Sequence, residues 1–175
     1  SKLLSQCLND GSDEQRAELI ALSEEIAVFF SANMSLGVNL LVSLVKKAAS
    51  ILEDSFDIEI IEKHHNKKLD APSGTALAIA DGIKEVLKET PEYVYDRHNV
   101  RKKRGKTEIG LHAIRGGTIV GKHNVLFAGT DEIIELKHEA SSKEVFAVGA
   151  IKAAKYMAGK PVGYYSMNDL IGDVM

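Results

Sequence analysis

The sequence predicts an α+β protein: a mixed or antiparallel sheet with helices on one face, plus pieces of an α/β sheet near the two ends of the chain. Three features carry this. Segments of helical period alternate with short apolar runs, in the order helix–strand–helix–strand–helix. Consecutive strand-like runs then fill Glu108 to Glu139, separated by glycine-containing turns. A further helix follows, so the first helix and strand and the last helix look like parts of another sheet.

Ser12-Asp13-Glu14-Gln15 reads as a capping box that opens an amphipathic helix to about Ser23. Ile26 to Ser31 reads as a buried strand. Ser35 can cap a helix over Leu36 to Leu52, with Leu40, Leu41, Leu44, Val45 and Ala48 suiting one face. Asp57 to Lys63 alternates acidic residues with Ile58 and Ile60 and reads as a strand. The next helix starts at Ser73 or Gly74 and runs to Leu87, with Leu77, Ile79, Ala80, Ile83 and Val86 apolar. Pro91 to Lys106 is polar and ends in Arg101-Lys102-Lys103-Arg104-Gly105-Lys106. It reads as a mobile, solvated loop flanking a site, able to steer an anionic ligand. Glu108 to Arg115, Thr118 to Ala128 and Asp131 to Glu139 read as strands, with hairpin signals at Gly116-Gly117 and Gly129-Thr130-Asp131. Ser141-Ser142-Lys143-Glu144 is a second capping box. Its helix carries Ala147, Ala150, Ile151, Ala154 and Met157 and ends at Gly159-Lys160-Pro161. Tyr164 to Met167 reads as a short terminal strand.

Composition narrows the function classes. A chain of 175 residues, 45% hydrophobic, suits one domain or one and a piece. A net charge of −3 argues against general nucleic-acid binding. A lone cysteine, Cys7, excludes an internal disulfide and a cysteine-based zinc site, and fits a reducing, cytoplasmic setting. None of His64, His65, His98, His112, His123 and His138 forms a His-x-x-x-His or His-Glu-x-x-His pair, so no metal site is expected. No apolar run reaches the length of a membrane span, and Ser1-Lys2-Leu3-Leu4 resembles no signal peptide. Without a starting Met, the sequence reads as a fragment or a processed chain.

The chemistry concentrates in Glu62-Lys63-His64-His65-Asn66-Lys67-Lys68-Leu69-Asp70-Ala71-Pro72-Ser73-Gly74-Thr75-Ala76. A strand delivers two imidazoles and an ammonium to its end, and a helix then begins with backbone N–H groups pointing back. That is an anion site beside groups able to donate protons. Taken singly, the His pair is surface polarity, Pro-Ser-Gly-Thr is a helix start and Lys67-Lys68 is a solvated pair. Their conjunction suits a small substrate bearing carboxylates.

These residues carry a resemblance to the dihydrodipicolinate reductase (4-hydroxy-tetrahydrodipicolinate reductase) family of the diaminopimelate route to lysine. The segments that carry it are Phe30 to Asn39, Glu62 to Ala76, His112 to Gly121, Phe127-Ala128-Gly129 and His138 to Ser142. The resemblance implies a Rossmann-type dinucleotide-binding domain and a second domain that binds substrate and builds a homotetramer. Here residues 1–35 would be a remnant of the first, 36–146 the second, and 147–175 the return to the first. It implies reduction of a small cyclic dicarboxylate by hydride from NADPH or NADH. His64 would be the general acid–base and Lys68 a proton donor and charge stabiliser. His65, Lys68, Gly74 and Thr75 would bind substrate, and Ser31, Ala32, Asn33 and Met34 would line the nicotinamide side.

The chain departs from the family in carrying no Gly-x-Gly-x-x-Gly or Gly-x-x-Gly-x-Met-Gly phosphate loop. A Gly-Thr-Thr-Gly strand end that touches cofactor would fall on Cys7-Leu8-Asn9-Asp10, which do not match. Weak dinucleotide binding by this chain alone is therefore expected. Two other readings remain: an assembly or dicarboxylate-binding module without catalysis, and a lyase that needs no nicotinamide.

Overall fold

The structure is a computed structural model describing residues 4–6 and 13–172. Ser12, with its capping box, and the Cys7 to Asp10 mismatch lie outside the described residues. In chain order the elements are β1 (Leu4–Gln6), α1 (Asp13–Leu22), β2 (Ala27–Phe30), α2 (Leu36–Leu52), β3 (Asp57–His64), α3 (Gly74–Lys84), β4 (Glu92–Val94), β5 (Glu108–Arg115), β6 (Gly121–Ala128), β7 (Ile133–Ala140), α4 (Glu144–Met157), β8 (Gly163–Tyr165) and α5 (Met167–Gly172). They fall into two units, residues 1–39 with 143–175, and residues 40–142.

In the first unit β1, β2 and β8 form a parallel sheet in that order. Its core gathers Phe29, Met34, Ala153, Met157, Met167 and Leu170. Helix α4 buries Gly149, Ala153 and Met157; of the apolar positions expected along it Met157 is buried, whereas Ile151 is exposed. The reason is local: a Cβ at Gly149 would stand 1.7 Å from the Met34 carbonyl oxygen, so this glycine lets the helix touch backbone. The Ser141–Glu144 capping box is not what starts the helix, because Lys143 is the N-cap and makes no side-chain cap bond. After β8 the chain turns into α5. Ser166 N and Oγ both donate to Asp169 Oδ2, at 2.7 and 2.6 Å.

The second unit is the expected mixed sheet with helices on one face. Strand order is β4-β5-β3-β6-β7, with β3 parallel to β5 and antiparallel to β6. Gly116-Gly117 is therefore no hairpin between neighbours. It carries the chain across the end of β3, where Gly116 N donates to His64 O at 2.9 Å and Asn66 N to Gly117 O at 3.2 Å. The Gly129–Asp131 turn does join adjacent antiparallel strands, with Asp131 at φ 62°.

Helices α2 and α3 bury Leu41, Val45, Ala49, Ala76, Ile79, Ala80 and Ile83 against Ile58, Ile60, Ile109, Leu111, Val125 and Phe127. Leu40 and Leu44 stay 42% and 47% exposed, because α2 is apolar on more than one side and packs along the Leu41–Val45–Ala49 line.

The polar stretch before β5 is held to the sheet at Arg97 and Arg104, while Arg101, Lys102, Lys103 and Lys106 are exposed, as expected of a solvated run. β4 joins the sheet edge beside β5. Arg97 pairs with Glu108 and Glu59, and Arg104 with Asp57, Glu59 and the carbonyls of Ile58 and Glu108. Internal acid partners hold these arginines at the opposite end of β3 from His64, so they do not flank the His64 end of the strand.

Candidate active site

Strand alternation builds the site. Ile58, Ile60, Glu62 and His64 are the buried positions of β3. The first two lie under the helices, and the next two continue the same face toward the start of α3. Cross-strand register adds His123 of β6 opposite Glu62, His138 of β7 opposite His123, and Arg115 of β5 opposite His64.

Glu62 is the centre of this group. Its carboxylate accepts from His64 Nδ1 at 2.6 Å, Ser73 N at 3.0 Å, and Arg115 Nη1 and Nη2 at 2.8 and 2.7 Å. Burial pushes its carboxyl up, but the bonds from Arg115, His64 and Ser73 outweigh this and hold it below its ordinary value. Arg115 also donates to Asp70 O at 2.6 Å and so pins the loop leading to α3. Ser73 caps α3 by accepting Ala76 N at 3.2 Å, and its hydroxyl meets His123 Nε2 at 3.1 Å. Burial is the main cause that brings His123 down to about 4, with the charges of His64, His138 and Lys68 adding to it and Glu62 opposing. Burial lowers His138 as well.

The imidazole of His64 and the N-terminus of α3 thus share one face, since Glu62 touches both. The Lys68 ammonium pairs with Asp70 at 2.8 Å, and its charge reaches His123. His65 is half-buried at the end of β3, Gly74 is exposed at the first turn of α3, and Thr75 is half-buried beside it.

A family model described as "Dihydrodipicolinate reductase, C-terminus" matches residues 37–171. This chain belongs to the dihydrodipicolinate reductase family. It is 58% identical over 160 residues to a 4-hydroxy-tetrahydrodipicolinate reductase of Caldanaerobacter subterraneus subsp. tengcongensis, covering 91% of this chain and 63% of that protein. It is 54% identical over 165 residues to the protein of that name from Clostridium novyi, covering 94% and 65%. Among solved structures it is similar to a dipicolinate-bound dihydrodipicolinate reductase from Paenisporosarcina sp. TG-14. There the TM-score is 0.68 at 25% identity, over 89% of this chain and 59% of that one. The chain thus spans less than two thirds of each of these three relatives.

Ser31, Ala32, Asn33 and Met34 lie in the first unit, just past the carboxyl end of β2. Ser31 Oγ donates to Asn33 O at 2.7 Å, and Asn33 Oδ1 accepts from Ser35 N at 2.8 Å. Ala32 is exposed, whereas the Met34 side chain is part of the core. Glu62 and Ser73 lay in the stretch that concentrates the chemistry but had no expected role of their own there, and Arg115, His123 and His138 had no expected place in a site. The signal for Glu62 was present: it lies two residues before His64, on the same face of a strand.

Proposed function

We propose that this chain supplies the substrate-binding and proton-delivering part of a 4-hydroxy-tetrahydrodipicolinate reductase in the diaminopimelate route to lysine. The substrate is a cyclic dicarboxylate whose ring takes up a hydride and a proton. The observation that carries this reading is the double contact of Glu62 with His64 and with the capped start of α3. It sets an imidazole beside an anion-favouring helix N-terminus, in a chain 58% identical to a protein of that name.

One substrate carboxylate is held at the N-terminus of α3 by Gly74 and Thr75, whose backbone groups and hydroxyl donate to it. A Cβ at Gly74 would meet nothing within 4 Å, so the approach to this turn is open. Lys68 balances carboxylate charge, and His65 contacts the ring. His64 transfers the proton, an imidazole being able to donate and to accept one.

A nicotinamide dinucleotide, NADPH or NADH, supplies the hydride when bound. The 31–34 loop fits its nicotinamide end: it follows the carboxyl end of a parallel strand, where such ligands sit, and Ala32 is exposed there. No glycine-rich phosphate loop is present in this sequence, so its residues would hold only that end of the dinucleotide. The domain roles follow: residues 36–146 for substrate and assembly, residues 1–35 and 147–175 for the nucleotide side, in a cytoplasmic enzyme.

Assembly as a homotetramer would use the sheet face turned away from α2 and α3. That face carries Ile114 and Ile133, which are 46% and 65% exposed. Exposed apolar residues on a sheet face favour closed association.

The test is turnover of the full-length protein. His64→Ala and Lys68→Ala are each expected to lower kcat by about 10²–10⁴-fold. Near-native turnover in both variants rejects the assignment.

A further inference from the structure

We infer that Glu62 is a positioning residue: it fixes His64 in the tautomer with its hydrogen on Nδ1, so that Nε2 is the atom that exchanges a proton with the substrate, and Arg115 holds Glu62 for this task. The inference rests on the proposed role of His64 and adds which atom acts and what aims it.

The donor count decides the tautomer. Glu62 Oε2 receives His64 Nδ1 and Arg115 Nη1, and Oε1 receives Ser73 N and Arg115 Nη2. The guanidinium and the backbone amide can only donate, so the carboxylate is an acceptor in every one of these contacts. An ionised carboxylate at 2.6 Å from Nδ1 requires a hydrogen on Nδ1. Glu62 itself is 1% exposed and both its oxygens are engaged. It therefore acts through His64 and not on the substrate.

The other ring nitrogen is kept open. No partner among the described residues takes His64 Nε2. The nearest aromatic ring, His123, stands edge-on at 5.2 Å between centroids and has its own Nε2 at the Ser73 hydroxyl. Gly121 lies beside Nε2, where an added Cβ would come within 3.2 Å. A carboxylate behind one nitrogen and a side-chain-free position beside the other give the ring one reactive direction. Arg115 completes the device. Its fork fits both carboxylate oxygens, and its bond to Asp70 O links that fork to the loop bearing Lys68.

The experiment uses the full-length enzyme with nicotinamide cofactor and substrate. Nitrogen NMR of His64 in the native protein is expected to show a hydrogen on Nδ1; a ring protonated at Nε2 and not at Nδ1 overturns the inference without any variant. Glu62→Gln offers one acceptor and an NH₂ group in place of two acceptors. It is expected to move the His64 hydrogen to Nε2 and to lower kcat by about 10²–10⁴-fold. KM and the calorimetric affinity for dipicolinate are expected to change far less than kcat, because Gln keeps one oxygen to accept Ser73 N and so holds the start of α3. Glu62→Asp keeps a carboxylate, and is expected to restore the Nδ1–H tautomer and part of kcat. Should Glu62→Gln not fold, Glu62→Asp and the native spectrum carry the test. Native kcat in Glu62→Gln together with a large loss in His64→Ala overturns the positioning role alone. Native kcat in His64→Ala overturns the function proposed for His64, whatever its tautomer.

Discussion

Lowering the pH from 7 toward 4 should destabilise the second unit chiefly through His123, with His138, also lowered by burial, adding to it. The His123 imidazole is 4% exposed and sits at the Ser73 hydroxyl. Burial, helped by the charges of His64, His138 and Lys68, brings its pKa from 6.5 to about 4. As pH falls below 6.5 the unfolded chain takes up a proton at this position and the folded chain does not. The stabilisation is whole above 6.5, is lost progressively between 6.5 and about 4, and is constant below that. The full interval is worth about 3 kcal/mol. Glu62, whose carboxyl lies below its ordinary 4.5, contributes stability that is lost only as pH falls below that value, so the two windows hardly overlap. The assay is hydrogen exchange of the β6 amides in the full-length protein at pH 6.5, 5.5 and 4.5, corrected for intrinsic rates. His123→Gln keeps a polar group able to donate to or accept from the Ser73 hydroxyl but does not titrate. The native protein should lose about 2–3 kcal/mol of opening free energy across this range, and the variant less than about 1 kcal/mol. Equal losses in both would refute the reasoning, because the proton would then be going elsewhere.

Gly121→Ala should lower kcat by at least about 10-fold with little change in unfolding temperature, since its methyl group would stand 3.2 Å from His64 Nε2 without forcing a left-handed backbone. Steady-state kinetics beside a thermal melt checks this, and unchanged kcat would place substrate on another side of the ring. For assembly, light scattering of the full-length protein at micromolar concentration should return a tetramer mass. A monomer with native circular dichroism would remove the assembly proposal and leave the chemistry standing.

Much of this fold was legible because its signals are local. Ser35 and Ser73 announce helix starts by side chain, and both caps form, with Ser35 Oγ accepting Val38 N at 3.2 Å. The alternation in Asp57–His64 gives a strand whatever its neighbours. What failed was long-range. Gly116-Gly117 looks like a hairpin because nothing in those two residues reveals that β3 will insert between β5 and β6. Arg104, within the basic run ending at Lys106, looks solvated because its partners Glu59 and Asp57 are far away in sequence. Ser166-Met167-Asn168-Asp169 could have been read as a cap, since the serine-to-acid spacing of a helix start is there. In the site, the segment from His64 to Thr75 is contiguous and was readable as a unit. Arg115, His123 and His138 come from other strands, and only the register brings them in.

The energetics of Glu62 bear on why such a group sits at the end of a core. Taking a carboxylate and a guanidinium out of water costs several kcal/mol per ion, and an apolar pair of similar volume often stabilises a fold as well or better. The strand itself shows the apolar solution: two positions earlier on the same face, Ile60 is fully buried among Leu111 and Val125 without any polar partner. Stability alone therefore gives no reason to break that row at Glu62. An apolar residue there could not accept the hydrogen of His64 Nδ1, nor the N–H of Ser73 that sets the start of α3. Both tasks concern direction, one for an imidazole and one for a helix terminus. The arginine follows from them, because a buried carboxylate with only those two donors would remain undercompensated, and Arg115 supplies the balancing charge from the neighbouring strand.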